Sequence, residues 1–154
     1  YPANGTDRFW GKYANKSYLE DNLGSATDIS TAFRTGRAAL SAHNTTDALA
    51  QRDIIVSKVY RMAAGMAIHY LYDVKNSVAG GASANDVNHS FSEAYAFMYG
   101  LHTLNDGAWA SQIAGMLATI NGDPQGFIAS SQSIDGTIAA IAQLAGISDP
   151  ESFE

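Results

Sequence analysis

The sequence predicts an all-α protein, a single-domain bundle of about five helices with an irregular N-terminal arm. Apolar residues recur every three or four positions through several long segments, which is the spacing of one helical face. No alternation of apolar and polar residues survives over more than a few positions, so the pattern of a half-buried strand is missing. The chain of 154 residues is long enough for one domain with one core.

The N-terminal residues 1–24 are predicted to form the irregular arm, with a short helix near residues 16–22 that Gly24 ends. Ser25 or Thr27 can then cap a helix that runs to about residue 42. Apolar and small residues at helical spacing form one stripe on this helix. Its members are Ile29, Ala32, Phe33, Gly36 and Leu40.

The longest helix is predicted from Asp47, or a neighbouring threonine, to about Val78. Its stripe is expected to face the core at least as far as Met66, and Gly80 with Gly81 ends it. The stripe comprises Ile55, Val59, Met62, Met66, His69 and Asp73.

The next helix is predicted to begin at Ser83, which forms a capping-box pattern with Asp86, and to end near Thr103. Apolar side chains cover so much of this helix that we expect it to be central. These side chains are Phe91, Ala94, Tyr95, Phe97, Met98 and Leu101.

The remaining chain is predicted to hold a turn at 105–107, a helix at 108–120, a break at 121–124, a short segment at 126–130 and a helix at 133–144. The predicted organisation is therefore an arm (1–24), a bundle (25–146) and an acidic C-terminal tail (147–154).

The composition excludes several classes of function. Without cysteine there are no disulfides and no thiolate metal ligands. The net charge is −6, and the nine Lys and Arg residues are scattered, none of them after Lys75. This distribution argues against a nucleic-acid partner, which requires clustered basic residues. No apolar run approaches about twenty residues, so no membrane span is predicted.

Four sequons indicate a secreted protein with N-linked glycans. They begin at Asn4, Asn15, Asn44 and Asn88, where about one or two are expected by chance. The absence of an initiator methionine before Tyr1 indicates processing. We therefore expect an extracellular or periplasmic location. The alternative is that a polar, Asn-rich surface produces sequons by accident.

The low charged fraction of 16% indicates that something other than charged side chains covers part of the surface, either glycans or further copies of the protein. An ordinary soluble domain carries about 25% charged residues. Subunits that bury their surface against copies of themselves need less charge on that surface. The sequence therefore also fits a glycosylated structural subunit that assembles into a homo-oligomer or filament.

Two histidines are each followed by a carboxylate four residues later: His69 with Asp73, and His89 with Glu93. This spacing puts both members of a pair on one helical face, about 5–6 Å apart at Cβ. If the two faces oppose each other, two imidazoles and two carboxylates could bind one metal ion, and iron is favoured if coordination positions stay open.

Each of these residues also has an ordinary structural explanation. His69 could be a core histidine bonded to a tyrosine hydroxyl or a backbone carbonyl, and Asp73 could be solvated. Glu93 lies on a mostly apolar helix and needs a partner, because burying a bare carboxylate costs several kcal/mol. The alternative to a metal is a salt bridge from one of three arginines, Arg37, Arg52 or Arg61. His43 and His102 are expected at the surface.

The sequence lacks common motifs of enzyme active sites. There is no G-x-S-x-G elbow, and Gly80-Gly81 lacks the Lys-Ser/Thr of a phosphate loop. A hydrolase would have to use Glu93. Four tyrosines are expected to serve packing, with hydroxyls that could anchor the histidines. They are Tyr70, Tyr72, Tyr95 and Tyr99.

Residues 89–100 read H-S-F-S-E-A-Y-A-F-M-Y-G. They resemble the H-x-W-[DS]-E-A-[WY]-x-F-x-x-G signature of helical extracytoplasmic proteins, which include the secreted iron-assimilation proteins of green algae and related imelysin-like bacterial domains. Residues 34–40 and 67–72 are similar to the helices that precede the signature. The chain departs at Phe91 and Ser92, where the signature has tryptophan and, in some members, an acid. Imelysins also space the histidine and glutamate by three residues.

This resemblance implies a helical bundle outside the cell, concerned with iron, in which His89 and Glu93 are the ligand pair. Our first hypothesis is thus a secreted, non-enzymatic protein that binds iron through these residues with help from His69 and Asp73. Because Asn88 adjoins His89, a glycan there would compete with a buried metal site.

Overall fold

The computed structural model describes residue 8 and residues 10–104 and 107–154, and these contain α-helices and no strand. The all-α prediction is confirmed. The helices are α1 (Trp10–Ala14), α2 (Ser17–Leu23), α3 (Ser25–Ser41), α4 (Thr45–Ala79), α5 (Ala84–Leu101), α6 (Ala110–Gly122), α7 (Pro124–Ala129) and α8 (Ser131–Ala145), followed by a 3-10 helix (Pro150–Phe153).

The predicted number of about five helices was too low, because the described residues form eight. The additional helices are α1, α2 and the short α7. Both α1 and α2 lie in the segment expected to be an irregular arm, and α2 corresponds to the short helix predicted there near residues 16–22. The predicted turn at 105–107 lies partly outside the described residues. None of the described helices is long and apolar enough to cross a membrane.

The chain divides into two compact units, residues 1–62 and residues 63–154, with the boundary inside α4. In the first unit α1 and α2 both contact α3. The apolar side chains buried there belong to the first three helices and the adjoining part of α4. They include Ala14, Leu19, Leu23, Ile29, Ala32 and Met62.

The N-terminus of α3 is capped by a side chain from the preceding helix. Its N-cap residue is Gly24, which has φ 60° and no side chain to offer. The carboxylate of Glu20 accepts hydrogen bonds instead from the backbone N–H of Ala26 (2.6 Å) and of Thr27 (3.2 Å), and from the Thr27 hydroxyl. The prediction that Ser25 or Thr27 caps this helix was wrong, because Glu20 of the preceding helix caps it instead.

Partial burial of Glu20 tends to raise the pKa of its carboxyl, but the hydrogen bonds from Thr27 and Ala26 outweigh that effect and leave the pKa below its ordinary value. We expect Glu20→Gln to reduce the free energy of unfolding by about 1 kcal/mol at neutral pH. Because the folded-state pKa is lowered, this contribution is present above the ordinary value and is lost as pH falls through the lowered one.

Urea unfolding of both proteins across this pH range measures the difference. The matched control is Asp21→Asn, which removes the exposed neighbouring carboxylate and should leave stability almost unchanged. A difference between wild type and Glu20→Gln that stays constant into acid would contradict the capping role.

A tight turn joins α3 to α4. His43 takes the left-handed conformation at φ 55°, and the N–H of Asn44 bonds to the carbonyl of Ala39, which closes the C-terminus of α3. The Asn44 side chain then accepts from the N–H of Asp47 and donates to its carboxylate, which caps α4. Helix α4 thus begins at Thr45, close to its predicted start.

Beyond this turn, α3 and the first part of α4 lie side by side and antiparallel. A Cβ added at Gly36 would lie 3.2 Å from the Cβ of Gln51, so the two helices approach closely there. Further along, Lys58 on α4 pairs with Asp28 on α3 at 2.5 Å. The same ammonium group donates to the backbone carbonyl of Leu23.

In the second unit, α5 contacts α6, α6 contacts α7, and α7 contacts α8. Predicted boundary signals are confirmed: Gly81 has φ 68° just after α4, and Ser83 caps α5 through the N–H of Asp86. Asp123 and Ser130 cap α7 and α8 in the same way. The core of this unit includes Met66, Ile68, Leu71, Met98, Leu101, Ile113, Ile120, Ile134 and Ile141.

The predicted acidic tail contains buried apolar side chains. Ile147 is buried, and Phe153 in the 3-10 helix has no exposed surface. The 3-10 helix contacts α8, and the Asn76 amide on α4 donates to the Glu154 carboxylate at 3.0 Å. Packing of Phe153 therefore fixes the last described residues against their own unit.

Candidate functional site

The first predicted ligand pair, His69 and Asp73, lies on α4. The ring Nδ1 of His69 is 2.8 Å from the backbone carbonyl of Phe153. A carbonyl only accepts, so Nδ1 donates, and this bond fixes the orientation of the ring. The other ring nitrogen, Nε2, lies 3.7 Å from Oδ2 of Asp73, which is too long for a hydrogen bond. The His69 and Asp73 side chains are 19% and 42% exposed.

The second predicted pair, His89 and Glu93, lies on α5 and is more open to solvent. His89 is exposed and Glu93 is half-buried. Among the described residues, neither side chain takes part in a hydrogen bond or ion pair. Of the three arginines considered as partners, Arg52 pairs instead with its neighbour Asp53, at 2.6 Å.

Within the described part of the chain, no group of three or more His, Asp or Glu side chains is placed to hold a metal ion. The four predicted ligands are therefore not brought together in one cluster. Each helix keeps its own i, i+4 pair, and the two pairs differ in exposure.

The four tyrosines occupy different environments. Tyr70 stacks on Phe97 with ring centroids 5.9 Å apart, and the Tyr95 hydroxyl and the Asn121 side chain lie 3.1 Å apart. Tyr72 is buried beneath the Lys75 ammonium group. Tyr99 is 63% exposed.

A pocket lies beside the C-terminal 3-10 helix and is lined in part by Tyr72, Lys75, Asp135, Glu151 and Glu154. Burial and the two glutamates raise the pKa of the Tyr72 phenol. The hydrogen bond to Asp135, at 2.7 Å, raises the pKa of the Lys75 ammonium. Both groups therefore keep their protons at neutral pH, and the lysine is already paired.

The most unusual surface is formed by residues 33–61, which we call the exposed hairpin. All of these residues are described, and none is buried. Four large apolar side chains lie open on it: Phe33 (57% exposed), Leu40 (62%), Leu49 (46%) and Ile54 (41%). The core-facing stripe predicted on α4 is only half-buried at Ile55 and Val59, and the stripe predicted on α3 is open at Phe33 and Leu40. Only Ile29 and Ala32 of that stripe are buried, because the contacts that α1 and α2 make with α3 bury the early residues of the helix.

Charge is distributed unevenly between the two units. Residues 1–62 carry eight of the nine Lys and Arg and six of the fifteen Asp and Glu, a net charge of +2. Residues 63–154 carry only Lys75 against nine acids, a net charge of −8, and Lys75 is paired with Asp135. The exposed hairpin therefore carries its open apolar side chains within the unit that has a net positive charge.

One feature of this surface, its position in the basic part of the chain, is related to a pattern that the sequence shows directly. The absence of basic residues after Lys75 was visible in the sequence, but its relation to the exposed hairpin was not. Helical spacing placed Phe33 and Leu40 on one stripe of the helix, but periodicity shows only that a face is apolar and does not show what covers it.

No curated protein and no solved structure matches the chain. The resemblance of residues 89–100 to the algal iron-assimilation and imelysin-like proteins stays a prediction. A family model described as a domain of unknown function (DUF4856) matches residues 2–148. Since the match covers nearly the whole chain, the protein belongs to the DUF4856 family.

Proposed function

We propose that this protein is a structural subunit that assembles with further copies of itself, and that the exposed hairpin forms the contact. The observation that carries the proposal is the run of 29 residues, 33–61, without one buried side chain. Helices in proteins gain most of their stability from tertiary packing of an apolar face. A second copy can supply that packing for α3 and the first part of α4.

The open apolar side chains support the same conclusion. Phe33 and Leu40 are seven residues apart on α3 and share one helical face. Arg37 lies between them on this face, and aromatic residues and arginine are enriched in protein–protein interfaces. Burying a Phe or Leu side chain contributes about 1.5–3 kcal/mol, so a few such residues can hold an interface together.

Sedimentation velocity of the wild-type chain over a range of concentrations tests this function. We expect the mean sedimentation coefficient to rise through the micromolar range as copies associate. A sedimentation coefficient that stays at the monomer value throughout would contradict the proposal.

A second candidate function is metal binding, for which the geometry of His69 is the specific support. Metal-ligating histidines commonly donate their other ring N–H to a backbone carbonyl, as His69 does to Phe153. At 3.7 Å, Nε2 of His69 and Oδ2 of Asp73 lie slightly farther apart than two ligands with bonds of about 2.0–2.2 Å to one ion, so a small side-chain rotation would bring both within reach of the same ion. Imidazole and carboxylate suit iron or zinc, and water would have to complete the coordination.

Elemental analysis of natively purified protein tests the metal proposal, with Asp73→Asn as the variant and His89→Ala for the second pair. If His69 and Asp73 bind the ion, Asp73→Asn loses most of the iron and His89→Ala retains it. Equal iron content in wild type and in both variants would contradict iron binding by either of the two pairs.

The secreted location and glycosylation are also part of the proposal. Of the four sequon asparagines, Asn15, Asn44 and Asn88 are exposed, while Asn4 lies outside the described residues. We place the glycan on Asn15, because a glycan on Asn44 would lie on the exposed hairpin itself. An exposed acceptor is what an N-linked glycan requires. Intact-mass measurement of the native protein tests this placement, since added mass in hexose units is expected.

A further inference from the structure

We propose that the exposed hairpin of one copy docks on the outer face of α5 in a second copy, with Arg37 opposite Glu93. This inference rests on the proposed self-assembly and specifies its geometry. The α5 outer face consists of the exposed residues His89, Ser92, Ala96 and Tyr99, with Glu93 at its edge, and this contact requires that the adjoining sequon at Asn88 carries no glycan.

The hairpin contributes the basic half of the contact. Phe33, Arg37 and Leu40 are spaced by four and three residues, so they lie along one face of α3. Arg37 is exposed, and its guanidinium group has no hydrogen bond or ion pair among the described residues. Its guanidinium can therefore pair with a carboxylate of another copy without first breaking an internal bond.

The α5 outer face contributes the acidic half. Glu93 is half-buried and unpartnered in the described structure, so an incoming arginine would satisfy a carboxylate that is already partly removed from water. Tyr99, at 63% exposure, is the most open large apolar side chain described. The short side chains of Ser92 and Ala96 beside it leave space for the Phe33 and Leu40 side chains.

Charge favours this pairing over the contact of two hairpins. In a two-fold symmetric contact residue i meets residue j and residue j meets residue i, and only residues beside the axis meet their own counterparts. Because Arg37 lies midway between Phe33 and Leu40, a two-fold contact centred on this face would place the two copies of Arg37 beside the axis and close to each other. Docking on the unit with net charge −8 places unlike charges opposite each other instead. A contact between two different faces continues from copy to copy and builds a ring or filament.

A complementation experiment tests the pairing. One variant, Phe33→Ser with Leu40→Ser, has no functional hairpin. The other, Glu93→Arg with Tyr99→Ser, has no functional α5 outer face. Both sets of side chains are at least partly exposed, so both variants should fold, and circular dichroism checks this. We expect each variant alone to stay monomeric, and their mixture to form a dimer that grows no further, because only one functional contact is left.

The charge reversal gives an independent measurement. Glu93→Arg alone should weaken wild-type association by about tenfold or more, and adding Arg37→Glu in the same chain should restore it. Glu151→Arg, the same change at another exposed acid, is the control and should have little effect.

Different results would overturn the proposed self-assembly and the proposed α5 contact. A wild-type chain that never associates overturns self-assembly and this inference together. If the hairpin variant blocks association but the α5 variant associates as wild type does, self-assembly stands and the α5 contact is overturned. A mixture that stays monomeric also overturns the α5 contact.

Discussion

Replacing Phe33 and Leu40 together by serine is expected to weaken self-association by at least about 100-fold. The two side chains are 57% and 62% exposed in a single copy, so removing them takes little from the core. Their loss should therefore weaken association between copies, because the two side chains would become buried in that contact. Sedimentation velocity at matched concentrations measures the change, and circular dichroism verifies that helix content is preserved.

The matched control is Val78→Ser, which removes an apolar side chain that is also exposed (41%) but lies outside the exposed hairpin. This variant should associate as strongly as wild type. If the double variant associates as strongly as Val78→Ser, the exposed hairpin is not the contact surface.

Replacing Phe153 by alanine is expected to lower the free energy of unfolding by about 3–5 kcal/mol. This side chain has no exposed surface, although it lies next to the last residue of the chain. The substitution leaves a cavity beneath the 3-10 helix and loosens the carbonyl that orients His69. Urea unfolding, followed at a concentration where the chain is monomeric, gives the size of the effect.

Phe33→Ala is the control for this prediction, because it makes the same chemical change at an exposed position. Its free energy of unfolding should stay within about 0.5 kcal/mol of wild type. Equal stabilities for Phe153→Ala and Phe33→Ala would show that the 3-10 helix adds nothing to the core.

Helix positions were largely predictable because their boundaries are local. The capping pattern of Ser83 and Asp86 and the glycine pair at 80 and 81 act within a few residues, so the sequence displays them directly. The cap that Glu20 provides for α3 was not predictable in this way. It depends on how α2 packs beside α3, and no sequence spacing records that contact.

The candidate site was less predictable than the fold. Spacing of four residues correctly placed His69 beside Asp73 on one helical face, but it could not show that Phe153 would orient the histidine ring. Likewise, Glu93 lies among apolar residues in the sequence, so a metal ion or a salt bridge was expected to compensate its charge. In the structure its helical face is open enough that the carboxylate stays half-exposed and unpartnered within the described residues.

Amide hydrogen exchange at two protein concentrations tests most directly whether a second copy covers the exposed hairpin. Peptides from residues 33–61 should exchange rapidly in dilute solution and markedly more slowly at high concentration, where association buries them. Peptides from the buried stretch around Ile138 and Ile141 should exchange equally slowly at both concentrations. Exchange in residues 33–61 that does not depend on concentration would contradict the account.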